Sequence, residues 1–376
     1  MYNSLRGIIA RLLQRLFGLL PLQDKIVYSC FDGKSYGDNP KAIFDWLIRG
    51  VSKAKMVWLL RDTSKEIDGA VVVKAYSWKA IYHQATAKIW IYNSRQRAWI
   101  RKRRGQYYIQ TWHGTLPLKR IEKDCMDSLP QSYIEAARHD SQMADLFLSS
   151  CAWCTDNYRQ AFWYDGEIAE FGLPRTDALF GDKDQAKSEI CRRFGVKEDA
   201  RFIVYAPTFR GENQCGAYDV DWQQVLDAAR LRWPGEWKVI VKLHPNIDRQ
   251  QVTSLCDGRT VLDGSDTEDL NKLILGSDIL ITDYSSCMFD GMMAKKLVML
   301  YAPDHEIYES ERGFYFKLDE LPFLMVENSE ALSECIQNYT EASYENKVAD
   351  FMNRIRFFDD GHATEHITKL IEEKLA

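Results

Sequence analysis

Four stretches of this chain place residues that can grip a phosphate or move a proton directly after short apolar runs. Residues 202–205 lead into Ala206-Pro207-Thr208-Phe209-Arg210, and 239–243 into His244-Pro245. Residues 280–282 lead into Asp283-Tyr284-Ser285-Ser286, and 108–111 into Trp112-His113-Gly114-Thr115, then Lys119-Arg120. A guanidinium fork matches phosphate oxygens, and an imidazole near its ordinary pKa can take or give a proton at neutral pH. After Ser285-Ser286 the apolar residues Met288, Phe289, Met292, Met293 and Leu297 recur at helical spacing. The two hydroxyls therefore belong at a helix N-terminus, where free backbone N–H groups and the dipole favour an anion. Each stretch alone has an ordinary explanation: a serine cap, a turn, a structural histidine. Four together read as a site for group transfer from a nucleoside diphosphate. Arg210, His244 and the serine pair would hold the phosphates, and His113 would stand in the opposite half.

The elements that must position these residues alternate. Strand-like runs fall at 25–30, 55–60, 70–73, 88–92, 107–111 and 146–149, and again at 201–206, 237–243, 278–282 and 297–301. Helical stretches such as 40–49 and 79–87 lie between them. Such alternation implies parallel sheets covered by helices on both faces. The expected fold class is α/β, with two Rossmann-like halves facing each other across a cleft. Open parallel sheets bind ligands outside the carboxyl ends of their strands, where all four stretches fall. The expected divisions are a helix at 1–22, an N-terminal half at 23–178 that takes the acceptor, and a C-terminal half at 179–345 that takes the donor. The polar stretch 172–187 would link the halves, and a closing helix would occupy 346–376.

Composition narrows the class. With 376 residues, 46% hydrophobic and 27% charged, the chain can bury a sizeable core. A net charge of -5 disfavours nucleic acid as a partner while leaving room for local basic patches. Nine scattered cysteines fit a reducing compartment better than a disulfide framework. Between residues 4 and 20, apolar positions 5, 8, 9, 12, 13, 16, 17, 19 and 20 oppose Arg6, Arg11, Gln14 and Arg15, and Pro21 ends the pattern. This basic amphipathic helix is too short and too charged to span a bilayer. It suits a membrane interface, with packing on the domain or on another copy of the chain as the alternative. The expected location is peripheral, on the cytoplasmic face of the cell membrane.

Other signatures are weak. Asp32-Gly33-Lys34-Ser35 ends like a P-loop, but Tyr28 occupies the place of its first glycine. No G-x-G-x-x-G follows the first strand, so no dinucleotide cofactor is expected. Cys151 and Cys154 lack a second ligand pair, and Asp359-Asp360 and Asp266/Asp269 lack strand-end placement, so no metal is expected either. The basic run from Arg95 to Arg104 reads as solvated surface or as a patch for a polyanionic acceptor or membrane phosphates.

Taken in order, Gly37-Asp38-Asn39-Pro40-Lys41-Ala42, Trp112-His113-Gly114-Thr115 with Lys119, Gly172-Leu173-Pro174-Arg175-Thr176-Asp177, Ala206-Pro207-Thr208-Phe209-Arg210, Lys242-Leu243-His244-Pro245 and Thr282-Asp283-Tyr284-Ser285-Ser286 through Asp290 form a specific set. With them the chain after residue 22 resembles the CDP-glycerol:poly(glycerophosphate) glycerophosphotransferases. The resemblance implies a GT-B fold and metal-independent transfer of a polyol phosphate from CDP-glycerol or a related CDP-polyol, with release of CMP. The acceptor would be a lipid-linked or polymer hydroxyl, in synthesis of a teichoic-acid-like or capsule polymer. His113 would be the general base. His244, also counted as catalytic, would bind the donor with Thr208, Arg210, Asp283, Ser285, Ser286 and Asp290. Lys119, Arg120 and Arg175 would meet the acceptor. Two departures touch the acceptor loop: Leu116 adds a residue before Pro117-Leu118-Lys119, and Glu122 stands where a glycine is common. The readings left open are a sugar-nucleotide glycosyltransferase, a nucleotide-sugar epimerase, and a non-catalytic membrane-surface protein.

Overall fold

The computed structural model describes residues 5–50, 53–208, 218–243, 255–267, 269–306 and 313–376. The chain forms two compact units. The first comprises the chain up to His113, then Ile121–Asp177 and Phe357–Ala376; the second comprises Gly114–Arg120 and Ala178–Arg356.

The first unit is built on a sheet of seven strands: β1 (Gln23–Ser29), β2 (Lys55–Leu60), β3 (Ala70–Lys74), β4 (Ala87–Tyr92), β5 (Tyr107–Gln110), β6 (Leu146–Ser149) and β7 (Glu167–Glu170). They are parallel throughout, in the order β3-β2-β1-β4-β5-β6-β7. The interior strands read as unbroken apolar runs because helices cover both faces. Ile26, Tyr28, Trp58, Ile89, Ile91, Ile109 and Leu146 form the core on one face, and Val27, Val57, Trp90, Tyr92 and Tyr108 that on the other.

The second unit holds a parallel sheet of six: β8 (Arg201–Tyr205), β9 (Trp237–Val241), β10 (Val261–Asp263), β11 (Ile279–Thr282), β12 (Leu297–Tyr301) and β13 (Leu324–Val326). Its order is β10-β9-β8-β11-β12-β13. Both sheets therefore reverse direction at one point, between β1 and β4 and between β8 and β11. Such a switch point is where the strand ends leave a crevice. The α/β class and the two parallel sheets are as expected from the sequence. Strands β7, β10 and β13 were not expected. Each is outermost in its sheet and only three or four residues long, with too little apolar run to announce itself.

The N-terminal helix α1 spans Leu5–Phe17. It lies along α2 (Trp78–Thr86), where Phe17 meets Tyr82 edge-on with ring centroids 5.5 Å apart. Gln14 makes both bonds of its amide to the backbone of Arg101. The face turned to the protein is thus Gly7, Ala10, Gln14 and Phe17, while Ile8, Ile9, Leu12 and Leu16 are exposed. Among the described residues no helix is long and apolar enough to cross a membrane.

The single closing helix expected over 346–376 is corrected to two, Glu341–Ile355 and Ala363–Leu375. The first ends with Arg356 in the left-handed region (φ 52°). The break frees Phe357 to bridge Cys151 and brings Asp359 against Gly172, whose φ of 93° and absent Cβ admit the carboxyl group. Asp359 accepts bonds from the Leu173 N–H and the Thr176 hydroxyl, and burial pushes its pKa up to about 6. It is a buried clasp on the turn that follows β7. The stretch read as a linker, 172–187, is likewise built structure: a 3-10 turn over Pro174–Phe180, then a helix starting at Lys183 and capped by Asp182.

Candidate active site

At the switch point of the seven-stranded sheet, three strands end close together. After β4, the buried Asn93 accepts the Phe31 N–H, 2.7 Å away, at the turn that follows β1. After β5, the chain turns sharply at Trp112, whose φ is 54°. Phe31, Asp32, Asp38 and Glu122 also take positive φ in this unit. Non-glycine residues held in that region cost on the order of 1–3 kcal/mol each and persist where surrounding bonds enforce them. Here the enforcing bonds are visible. The Trp112 N–H donates to Gln110 and its carbonyl accepts from Asn39, which is fully buried and in turn accepts the Arg175 N–H at 3.0 Å.

This turn presents His113. Its Nδ1 lies 2.7 Å from the Asn93 carbonyl oxygen. A carbonyl only accepts, so Nδ1 carries the proton and Nε2 keeps its lone pair. The ring is stacked on Trp112 (4.5 Å) and meets the Phe31 ring at 5.3 Å. Burial pushes the imidazole pKa down. The Asn93 bond and Asp38 pull it up, while Arg175 and Arg95 push it down again, and the balance lies below the ordinary 6.5. A neutral imidazole with a fixed tautomer and one available lone pair is chemically a general base.

At the switch point of the six-stranded sheet, β8 and β11 end together. The Thr208 N–H and hydroxyl both donate to Asp283, at 2.8 and 2.6 Å, and the Thr282 hydroxyl donates to the Ala206 carbonyl. Asp283 is buried, so its carboxylate ties the two strand-end turns together. Ser285 and Ser286 follow it, half-buried, and the helix Cys287–Met293 begins directly after them. Ser286 takes the N-cap position without capping through its side chain.

The segment Gly114–Arg120 makes its bonds within the second unit. A Cβ on Gly114 would stand 3.0 Å from the Ser286 hydroxyl, and Gly114 has φ 81°. The Thr115 hydroxyl donates to the buried Asp290 at 2.5 Å. Leu118 accepts from Tyr315, Arg120 donates to Gly313, and Lys119 bridges Phe314. Lys119 and Arg120, expected in the acceptor half, thus belong by their bonds to the second unit. Asp290, expected toward the donor, holds Thr115. Arg175 stands near enough to His113 for its charge to act there. Arg210 and His244 lie outside the described residues.

The basic run is corrected in part. The Arg95 side chain is only 4% exposed and lies between Glu122 and Asp140. Arg101 and Arg103 donate to backbone carbonyls, and Lys102 pairs with Asp145. The strand-like run at 88–92 also leads into polar residues. The same rule applied there leads to Asn93 and Arg95, and applied after β1 it leads to Phe31.

The sequence profile of the CDP-glycerol:poly(glycerophosphate) glycerophosphotransferases matches residues 12–373. The chain is 31% identical to the teichoic acid poly(glycerol phosphate) polymerase of Bacillus spizizenii, over all of this chain and 98% of that one. It is also 31% identical to the teichoic acid glycerol-phosphate transferase of Staphylococcus aureus, over 98% of this chain and 99% of that one. Among solved structures, the wall teichoic acid polymerase TagF superposes with a TM-score of 0.84 at 27% identity, covering the whole of this chain and 98% of that one.

Proposed function

The chain belongs to the CDP-glycerol:poly(glycerophosphate) glycerophosphotransferase family, a GT-B family of teichoic acid synthesis, and from that premise we propose how its own residues carry the transfer. The acceptor hydroxyl gives its proton to His113 Nε2 as its oxygen attacks the phosphorus nearer the glycerol. The bond from that phosphorus to the bridging oxygen breaks, and CMP leaves in line. A phosphoryl transition state demands positioning and charge stabilisation more than covalent chemistry. Ser285 and Ser286, with Arg210 and His244, supply donors for the diphosphate, and Thr208 holds its strand-end turn to Asp283 beside them. Asp283 acts by fixing the turns that present them. Arg175, Lys119 and Arg120 supply positive charge for an anionic acceptor, a lipid-linked or polymeric chain of phosphodiesters.

The observation that carries this reading is the tautomer of His113, fixed by the Asn93 carbonyl at the switch point of its sheet. Family membership sets aside the glycosyltransferase and epimerase readings. A panel of CDP-glycerol, CDP-ribitol and UDP-sugars, offered with a lipid-linked acceptor, tests it. CMP release and acceptor elongation are expected with CDP-glycerol. Turnover with UDP-sugars alone would refute it.

The membrane proposal rests on α1. Gly7, Ala10, Gln14 and Phe17 of the helix meet the protein, while four of its large apolar residues, Ile8, Ile9, Leu12 and Leu16, are left to solvent. Against an anionic bilayer that face can bury its leucines, with Arg15, also exposed, at the headgroups. This would place the enzyme peripherally on the cytoplasmic face. Leu12→Glu with Leu16→Glu is expected to abolish flotation with anionic liposomes and leave thermal stability unchanged. Undiminished flotation would exclude the helix as the anchor.

A further inference from the structure

Arg95 has no place in the chemistry above, yet it is the most enclosed cation near His113. Its guanidinium makes a two-pronged contact with Glu122, Nε to Oε1 at 2.8 Å and Nη2 to Oε2 at 2.6 Å. It also donates to Asp140 at 3.2 Å. Both carboxylates are themselves fastened. Tyr133 donates to Glu122, while Tyr108, Gln110 and the Gln96 N–H donate to Asp140. The faces of the guanidinium lie against rings: its carbon is 5.2 Å from the Trp112 centroid, 5.4 Å from Phe147 and 4.6 Å from Phe162.

Glu122 reaches this position in the left-handed region, at φ 46°, a conformation its side chain disfavours. A buried ion pair is in general a weak source of stability, and apolar replacements of similar volume often serve as well. Strain and burial are thus both spent on holding one guanidinium under one indole. That indole also carries His113, stacked on it with centroids 4.5 Å apart.

We infer that Arg95 is a positioning residue for His113: pinned by Glu122 and Asp140, it seats the Trp112 ring on which the imidazole is stacked. The inference rests on His113 being the base. It also assigns a purpose to Glu122, which supplies the anion that a glycine could not. Burial alone would lower the Arg95 pKa, but Glu122 and Asp140 raise it, so the cation is permanent. The charged groups acting on His113 are then Asp38, Arg175 and Arg95, and loss of Arg95 removes one that opposes protonation.

The test compares Arg95→Met, Arg95→Lys and Glu122→Gln in the full chain with CDP-glycerol and a lipid-linked acceptor. In Arg95→Met, kcat is expected to fall about 10²-fold, the scale of a misplaced catalytic group. KM for CDP-glycerol should hold, and the acidic limb of kcat/KM should move to higher pH. Arg95→Lys keeps the charge but lacks the fork, so kcat should fall while the limb stays in place. Glu122→Gln keeps the volume and should lower kcat at constant KM. A folded Arg95→Met with wild-type kcat and an unmoved limb overturns the inference. If that variant fails to fold, wild-type kcat in both Arg95→Lys and Glu122→Gln overturns it. Full turnover in His113→Ala would instead remove the base, a separable failure.

Discussion

In His113→Ala, turnover of CDP-glycerol is expected to fall by about 10²–10⁴-fold, the range of a lost general base, while KM for the donor changes little. The split follows from where the residue stands. His113 ends β5 in the seven-stranded sheet, among Phe31, Asn93 and Trp112, whereas the proposed diphosphate donors end strands of the other sheet. The pH profile supplies the sign. The proposed base works only as neutral imidazole, so activity should be lost as pH falls through the His113 pKa. Because burial and the two guanidiniums hold that pKa below 6.5, the acidic limb of wild-type kcat/KM should lie below pH 6.5. Steady-state kinetics from pH 4.5 to 8 checks both statements. A donor KM that rises with unchanged kcat would transfer His113 from the chemistry to binding.

Asp283→Ala should produce the second large effect, of opposite character. The carboxylate accepts the Thr208 N–H, the Thr208 hydroxyl and the Tyr284 N–H, and is 1% exposed. Removing it strands the buried Tyr284 N–H, at about 1–3 kcal/mol for a buried donor left unpaired, and frees the half-buried Thr208 donors. The turns after β8 and β11 then lose the tie between them. KM for CDP-glycerol should rise and the thermal midpoint should drop together. Thr208→Ser, which keeps the hydroxyl, should restore most of what Thr208→Val loses. Calorimetry alongside donor titration measures both effects. A raised KM at wild-type stability would mean that Asp283 touches the donor directly.

Much of this was legible in the chain because parallel strands announce themselves. Runs such as Lys-Met-Val-Trp-Leu-Leu at 55–60 and Ile-Leu-Ile-Thr at 279–282 are apolar on both faces, and the polar residues after them fall at strand ends by necessity. His113, Asp283 and the serine pair were found in that way. What stayed hidden depends on distant partners. Nothing near Arg95 distinguishes it from the arginines that follow, because its burial is set by Glu122 and Asp140, 27 and 45 residues on. The helix at the N-terminus was legible, but not which side it turns inward. Gln14 counts as polar in any pattern, yet it faces the protein because Arg101 offers its backbone there. The break after Ile355 has no proline or glycine at its cap, where Arg356 takes the left-handed position; Asp360-Gly361 marks only its far end, and Phe357 pairs with Cys151 between them.

The most direct test follows the phosphorus atom. CDP-glycerol labelled at the phosphorus nearer the glycerol is incubated with the enzyme and a lipid-linked acceptor, and the products are separated. Label is expected on the acceptor, with one unlabelled CMP for each unit added, and neither product with His113→Ala on the same time scale. Label recovered in CDP, with glycerol alone on the acceptor, would contradict attack at phosphorus and with it the role given to His113.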